Sequence, residues 1–302
     1  MNVIEAIKNK LSLRAFTGLI TAAVALTCLV LGGFPLLLLV LVFATIGAKE
    51  YVDILKNKGF LPFFKVIIIF AILLVTAIST GHYELLPLLL AAGTITSFLA
   101  VLFKGRQPYI ANVATTILGF AFCWLPCHII LIRQINAEDF GFFKWNVNDG
   151  LGYLLMMFFI ILATDVGAYF FGTRYGKHKL AEVISPKKTV EGALCGGGLG
   201  IIIGMVIGYF IGLPWYHSLI ASALITGFAQ LGDLSESLIK RDAGVKDSGD
   251  LLPGHGGFMD RADSYIFSAP VAYYYFKYFV VDGLNWSQAL IYIKKVFHVI
   301  GL

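Results

Sequence analysis

Residues 151–172 read LGYLLMMFFIILATDVGAYFFG, a run of 22 residues in which Asp165 is the one charged side chain. An α-helix rises about 1.5 Å per residue, so a run of this length can cross the roughly 30 Å hydrocarbon core of a bilayer. Inside lipid every backbone polar group must be satisfied within the segment, which a helix achieves. The run therefore predicts a membrane-spanning α-helix.

The same pattern recurs along the 302 residues, of which 58% are hydrophobic and 14% charged. Soluble domains carry about 25% charged residues, so an ordinary soluble protein is excluded. We predict an all-α integral membrane protein, a polytopic bundle of about nine transmembrane helices. The nine apolar runs lie at about 16–32, 34–48, 62–79, 85–103, 111–132, 151–172, 192–212, 217–239 and 263–281.

The basic residues indicate how the bundle is oriented, because lysine and arginine are retained on the cytoplasmic side of a membrane. With the N-terminus inside, 18 of the 23 basic residues fall in inner segments. The prediction is an N-in, C-out topology with the active site at the cytosolic side. We find no organelle-targeting presequence, which favours a bacterial inner membrane as the location.

A single polytopic domain, residues 1–302, is expected, because no stretch is polar enough to form a separate soluble domain. The spans within residues 1–150 carry almost no buried charge, and we assign them to scaffold and lipid access. Residues 151–282 are then expected to hold the catalytic helices and cytosolic loops. Residues 283–302 have the spacing of an interfacial amphipathic tail.

Two features of the second half are candidates for binding. Asp165 lies inside a span, where an acid is costly, so it indicates either a site or an interhelical hydrogen bond or ion pair. Lysines beside hydroxyl groups before a helix are typical of a phosphate cradle, although a positively charged flank that touches lipid headgroups is also consistent. The residues of this second candidate are Ser185, Lys187, Lys188 and Thr189.

Glycines recur every four residues at the start of the next span, at Gly192, Gly196 and Gly200. This spacing allows two membrane helices to approach closely. The run GGGLG at 196–200 follows no predicted strand and continues into an apolar span. We therefore predict helix packing here, and not a nucleotide-binding loop.

Residues 232–264 hold the densest set of polar groups and read GDLSESLIKRDAGVKDSGDLLPGHGGFMDRADS. Seven acids, four basic residues and one histidine lie there, between two apolar spans. Such a set fits phosphoryl or nucleotidyl transfer, in which cations neutralise a polyphosphate. A solvated loop held by surface salt bridges is the alternative, but acids at the end of an apolar helix need partners.

Within this stretch the residue types predict separate tasks. Carboxylates are ligands that Mg²⁺ prefers, and Asp233 and Asp260, at the facing ends of two spans, are the predicted metal pair. His255 is expected to position a phosphate or, as an alternative, to move a proton. The predicted phosphate-binding side chains are Lys240, Arg241, Lys246 and Arg261. The glycines that would let backbone amides approach an anion are Gly254, Gly256 and Gly257.

The order of these residues resembles the signature of the phosphatidate cytidylyltransferase (CDP-diacylglycerol synthase) family. The resemblance covers roughly residues 160–282. The matching positions are Ser237, Lys240-Arg241, Lys246-Asp247, Gly249, Pro253, His255-Gly256-Gly257, Asp260-Arg261 and Asp263. Ala262 departs from the family, which usually has a larger apolar residue or threonine there, and we expect it to alter packing while leaving the chemistry intact.

The resemblance implies condensation of CTP with phosphatidate to CDP-diacylglycerol and pyrophosphate, with Mg²⁺ required and a second metal ion left open. By matching positions, the resemblance implies that Asp233 and Asp260 are metal ligands and that Asp263 supports the same site. Lys240 and Asp247 complete the expected catalytic set. The expected partners are CTP, phosphatidate and the bilayer, without nucleic acid, and a homodimer is left open.

Two other classes of protein stay open from the sequence alone. One is another lipid-directed transferase, such as a polyprenol kinase or an alcohol phosphotransferase that acts on CDP-lipids. The other is an ion-coupled transporter, in which Asp165 and Asp233 would line the ion path. Release of pyrophosphate from CTP would distinguish both classes from a cytidylyltransferase.

Overall fold

The computed structural model describes residues 18, 20–136, 149–249 and 256–284, and this part of the chain is almost entirely helical. Its α-helices are α1 (Ile20–Leu31), α2 (Gly33–Asn57), α3 (Phe64–Ser79), α4 (Leu86–Lys104), α5 (Tyr109–Trp124), α6 (His128–Gln134), α7 (Asp149–Tyr175), α8 (Val190–Phe210), α9 (Trp215–Asp242) and α10 (Asp263–Tyr274). Short 3₁₀ turns lie at Tyr83–Leu85, Leu125–Cys127 and Met259–Arg261, and a π-helical segment at Tyr275–Val281 follows α10. Two strands, β1 (Lys179–Ala181) and β2 (Ser185–Thr189), lie between α7 and α8.

The predicted apolar runs fall on these helices. Within the described part, five helical segments are long and apolar enough to span a membrane: α2, Tyr83–Lys104, Tyr109–Gln134, α7 and α8. Helices α1 and α3 are apolar but shorter, and α9 carries charged residues in its last turns. The coarse prediction, a helical multi-pass membrane protein, is thereby confirmed. The expected amphipathic tail lies outside the described residues from position 285 onward.

Helices α7 and α8 pack against each other through a glycine face of α8. A Cβ added at Gly196 would lie 2.5 Å from the amide nitrogen of Ala168 and 2.6 Å from the carbonyl oxygen of Thr164, both in the α7 backbone. Toward the other end of α8, the same face contacts serines of α9. The predicted packing role is confirmed. The buried glycines of this face are Gly192, Gly196, Gly200, Gly204 and Gly208.

Apolar side chains form two buried clusters in the described part of the chain. One joins α6, α7, α9 and α10 and includes Met156 and Met157, while the other joins α2, α3 and α5 and includes Tyr51. Met259, in the 3₁₀ turn before α10, belongs to the second cluster. The α2–α3–α5 half therefore packs directly against the turn that carries Asp260.

The segment predicted as a phosphate cradle is the second strand of a β-hairpin. Strands β1 and β2 pair antiparallel, with Lys179 opposite Thr189 and Ala181 opposite Ser185. From α9, Nε of Arg241 donates a hydrogen bond of 3.1 Å to the carbonyl oxygen of residue 184, just before β2. This bond fixes the hairpin to α9. The hairpin is the exception to the helical architecture that we predicted.

Two charged residues are buried in the first half of the chain, where we expected almost none. Glu50 in α2 and Arg133 in α6 each expose 7% of their surface. Arg133 donates to the carbonyl oxygens of Leu29 at 3.3 Å and Val30 at 3.2 Å, which end α1 and lack partners within that helix. Both residues lie just outside the predicted spans 34–48 and 111–132, and their charges are paired with backbone groups that a hydropathy pattern does not reveal.

Candidate active site

The polar stretch from residue 232 to residue 264 forms a compact set of side chains at the end of α9. Lys240 forms an ion pair with Asp260, and its Nζ lies 3.2 Å from Oε1 of Glu236, one turn earlier on α9. These three side chains are each at most 10% exposed. Two buried carboxylates therefore share one ammonium group, and removing any of the three groups would be costly.

Asp260 is held in a fixed orientation by several donors. Its Oδ1 faces Lys240, while its Oδ2 accepts hydrogen bonds of 2.9 Å from the backbone N–H groups of Ser248 and Gly257. The hydroxyl of Ser248 also lies 2.9 Å from Oδ2. Burial opposes ionisation, but the hydrogen bonds and the charge of Lys240 outweigh it, so the pKa of Asp260 lies below its ordinary value. Asp260 is therefore an anion throughout the neutral range.

Two of the predicted glycines allow the hydrogen-bond donors to approach Asp260 this closely. Gly256 has a φ of +81°, which favours glycine, and a Cβ there would lie 2.9 Å from Oδ2 of Asp260. A Cβ at Gly257 would lie 1.8 Å from the hydroxyl oxygen of Ser248. We predicted that these glycines would bring backbone amides to an anion. In this structure the anion at the Gly257 amide is the carboxylate of Asp260.

Glu236 is fully buried, and its Oε1 lies 3.2 Å from Nζ of Lys240. Its carboxyl group also lies close enough to Asp263 for the two side chains to share a hydrogen bond. Asp263, at the start of α10, lies within electrostatic range of Glu236 and Asp233 and accepts a hydrogen bond of 2.6 Å from its neighbour, Ser264. Buried charges are usually paired, and Glu236 and Asp260 share one ammonium group, so this group of acids has capacity for a further cation.

Strand β2 separates the two adjacent lysines of the predicted cradle. Lys188 is partly buried and pairs with Asp233 of α9. Lys187, the preceding residue of the strand, is exposed. The hydroxyl of Thr189 accepts a hydrogen bond of 3.2 Å from the N–H three residues later and so caps α8, while Ser185 lies in the paired part of β2. Of these four residues, Lys188 is the one placed against an acid of the site.

A cavity of about 470 Å³ lies beside this set of side chains. Most of its lining is apolar and comes from α1, α2, α7 and the turn before α10, and Asp165 and Arg261 supply the charged part of the wall. Asp165 lies within electrostatic range of Asp233, Lys188 and Arg261. The charge is therefore gathered at one part of an otherwise apolar space, next to the acids of α9.

Other predicted site residues lie at the periphery. Nη1 of Arg241 donates a hydrogen bond of 3.0 Å to the carbonyl oxygen of residue 245, in addition to its bond to the hairpin, so its role here is to fix the backbone. Lys246 and Asp247 are exposed in the turn after α9. His255 lies outside the described residues. The structure thus brings together the acids and lysines of α9, β2 and the turn before α10, while Arg241, Lys246 and Asp247 lie outside that set.

The chain is similar in sequence to a known protein family over most of its length. The sequence pattern of the cytidylyltransferase family matches residues 12–279. The chain belongs to the cytidylyltransferase family. A phosphatidate cytidylyltransferase of Synechocystis sp. is 35% identical over 281 residues, which cover 87% of this chain and 95% of that protein. Phosphatidate cytidylyltransferases of Staphylococcus haemolyticus and Staphylococcus aureus are 36% and 35% identical over 270 residues, which cover 86% of this chain and 97% of each relative.

The oxygen donors of this cytidylyltransferase fit a magnesium ion that is shared with a substrate. Within residues 20–136, 149–249 and 256–284, no three His, Cys, Asp or Glu side chains converge closely enough to hold an ion by themselves. Mg²⁺ is usually held by one or two carboxylates, with water and substrate phosphate completing its shell. Glu236 and Asp260 share the single positive charge of Lys240, and Asp263 lies beside them, which leaves negative charge that such an ion would balance.

Glu50, Glu236 and Ser248 belong to this site but were not among its predicted residues, and Glu50 lies farthest from the others in the sequence. Its carboxylate accepts hydrogen bonds of 2.8 Å from the N–H groups of Phe258 and Met259, and the hydroxyl of Ser248 lies 3.1 Å away. In the sequence Glu50 follows a lysine and is typical of a charged cytosolic flank. The signal that could have found it is helical spacing, since it shares a face of α2 with the buried Ile54 one turn later.

Proposed function

We propose that this cytidylyltransferase condenses CTP with phosphatidate to give CDP-diacylglycerol and pyrophosphate. The observation that carries the proposal is the contact between an apolar cavity and a set of buried, paired charges. A two-chain lipid with a phosphate headgroup has the same division into an apolar body and a charged end. The names of the three relatives agree with this substrate.

The cavity wall supplies the site for the lipid in this proposal. Acyl chains would lie among the apolar side chains of α1, α2 and α7, which offer them surroundings as apolar as the bilayer interior. The phosphate would then lie near Arg261 and Lys188, since a guanidinium and an ammonium group both bind phosphate oxygens. Asp165, at the same part of the wall, would hold these cations in place while the site is empty.

The reaction needs no nucleophile from the protein. A phosphate monoester has a second pKa of about 6, so its oxygen is anionic at neutral pH. That oxygen attacks the α-phosphorus of CTP, a new P–O bond forms, and the bond to the β-phosphate breaks so that pyrophosphate leaves. Positioning and neutralisation of charge dominate such transfers. Lys240 and Lys188 are the described lysines that are placed to contribute both.

Asp233 and Asp260 would hold Mg²⁺, as the sequence predicted, with Asp263 in support. When bound, the ion neutralises the triphosphate and polarises its oxygens. Lys188 and Lys240 now occupy these two carboxylates. With Mg²⁺ supplying positive charge to these two acids, Lys188 and Lys240 would be available to contact substrate phosphates.

We also propose that the bundle crosses the membrane nine times, N-in and C-out, in a bacterial inner membrane with the site facing the cytoplasm. The support is the distribution of basic residues, 18 of 23 on the proposed inner side. Labelling of single cysteines introduced at 82 and 187 by an impermeant reagent in intact cells would test this, because residue 82 is expected outside and residue 187 inside. The homodimer stays a prediction, which a measurement of molecular mass by light scattering in detergent would test.

Pyrophosphate release by the purified protein in detergent tests the function. The assay compares CTP with ATP, GTP and UTP, with and without phosphatidate, and with Mg²⁺ or EDTA. We expect release with CTP and phosphatidate together, dependent on Mg²⁺, and none from a folded Asp260→Asn variant. Phosphate transfer from another nucleotide would favour a lipid kinase. A folded protein that consumes no nucleotide would contradict the proposal and lead to transport assays.

A further inference from the structure

Glu50 connects the first half of the chain to the turn that carries Asp260. It lies near the end of α2, 7% exposed, and the residues that donate to it are 198 to 209 positions later in the sequence. Oε1 accepts from the N–H of Phe258 and Oε2 from the N–H of Met259, each at 2.8 Å. A carboxylate that takes two backbone donors in this way fixes both the position and the direction of that backbone segment.

The turn is clamped from two sides. Asp260 accepts from the N–H of Gly257, while Glu50 takes the next two N–H groups along the chain. The hydroxyl of Ser248 lies between the two acids, 3.1 Å from Glu50 and 2.9 Å from Asp260. Three consecutive amides of residues 257–259 are therefore satisfied by carboxylates, and one of these acids belongs to a different helix.

The clamp also aligns the turn with the wall of the cavity. The ring centroids of Phe43 in α2 and Phe258 in the turn are 5.6 Å apart, and both side chains line the cavity together with Arg261. Glu50 lies two turns beyond Phe43 on the same helix. A shift of the turn relative to α2 would therefore move Asp260 and Arg261 together, away from the lipid side of the site.

We infer that Glu50 is a positioning residue for the reaction, which holds residues 257–261 in register with α2 so that Asp260 and Arg261 face the substrates. The inference rests on the proposed function for its effect on activity. Glu50 does not touch the cavity, so it acts through the turn. Misplacement of reacting groups by about 1 Å can cost about 100-fold in rate, which sets the size of the expected effect.

The test compares Glu50→Gln with wild type and with Asp53→Asn as a matched control. Glutamine keeps the size of the side chain, but its NH₂ group must face one of the two N–H donors in either orientation. Asp53 lies on the same helix and forms an exposed ion pair with Lys56, so it is outside the clamp. Two readouts are taken on folded protein in detergent: hydrogen exchange of the segment 256–262, and kcat and KM for CTP.

We expect faster exchange at Phe258 and Met259 in Glu50→Gln, a kcat about 100-fold lower, and a KM within about threefold of wild type. Asp53→Asn should match wild type in both readouts. Exchange in Glu50→Gln equal to wild type, or an unchanged kcat per folded molecule, would overturn the inference. A purely structural role would lower the melting temperature but leave kcat per folded molecule intact, and that result overturns it too.

A second variant covers the case in which Glu50→Gln does not fold. Ser248→Ala removes the hydroxyl between the two acids and is expected to lower kcat about 10-fold, the effect of one hydrogen bond to a charged group. An unchanged kcat in Ser248→Ala would then overturn the inference. If wild type releases no pyrophosphate, the proposed function fails, whereas the exchange comparison still decides whether Glu50 holds the turn.

Discussion

Replacing Gly196 by alanine is expected to force α7 and α8 apart. The new Cβ would lie 2.5 Å from the amide nitrogen of Ala168, 2.6 Å from the carbonyl oxygen of Thr164 and 2.8 Å from Cα of Ala168. Ordinary contact begins at 3.4 Å, so the helices must separate by about 0.9 Å. All three neighbours are backbone atoms, which cannot rotate away, and overpacking of this kind costs about 1–3 kcal/mol.

Two other glycines of α8 give an expected order for the loss of stability. At Gly200 a Cβ would meet the hydroxyl oxygens of Thr164 at 2.3 Å and Thr226 at 2.8 Å, which are side-chain atoms with some freedom to move. At Gly198 nothing lies within 4 Å. We therefore expect the loss of stability to be largest for Gly196→Ala, smaller for Gly200→Ala and absent for Gly198→Ala.

Thermal unfolding of the three variants in one detergent, followed by circular dichroism, is the assay. Asp165 lies one turn from Ala168 on α7, so pyrophosphate release should fall with stability in Gly196→Ala. Equal melting temperatures for Gly196→Ala and Gly198→Ala would refute the reasoning, because they would mean that α7 does not depend on the glycine face of α8.

Three further predictions concern the charges of the site. Lys188→Met should lower pyrophosphate release about 100-fold, while Lys187→Met, at the exposed preceding residue of β2, should change it by less than about threefold. Lys240→Met leaves two buried carboxylates without their cation and should cost about 3–5 kcal/mol in thermal or chemical unfolding, with loss of activity. The depressed pKa of Asp260 means that its ionised form stabilises the fold above its ordinary pKa of about 3.9, and that this contribution is lost as pH falls through the lower folded value. The difference in stability between wild type and Asp260→Asn should therefore shrink as the pH falls below about 4, and a difference that grows in acid would contradict it.

The helices could be predicted from the sequence because each one must satisfy its backbone alone in lipid. That constraint leaves a signal in every apolar run, and the predicted positions agree with helices α1 to α10. The glycine face of α8 is predictable for the same reason, since its spacing is local. The hairpin was missed because its short strands carry lysines and a proline, and its order depends on Arg241 of a distant helix.

The candidate site was predictable where its residues lie close in sequence and not where they come from elsewhere. The pairing of Lys240 with Asp260 joins two groups of one polar stretch. The different surroundings of Lys187 and Lys188 could not be predicted from the sequence, because two adjacent lysines look equivalent until the conformation of their backbone is known. Helical spacing indicates that Glu50 is buried, but it does not assign Glu50 to the site, because the donors are backbone N–H groups, which every residue but proline carries and no sequence pattern distinguishes.

The long separation between Glu50 and its donors has a consequence for how the protein is made. During synthesis at about 5–20 residues per second, Glu50 leaves the ribosome roughly 10 to 40 s before Phe258 and Met259. Over that interval α2 carries a carboxylate whose partners do not yet exist. A chain that stops before residue 248 lacks all three of the donors that Glu50 has in the complete protein, so the contact between α2 and the turn before α10 forms only after most of the chain has been made.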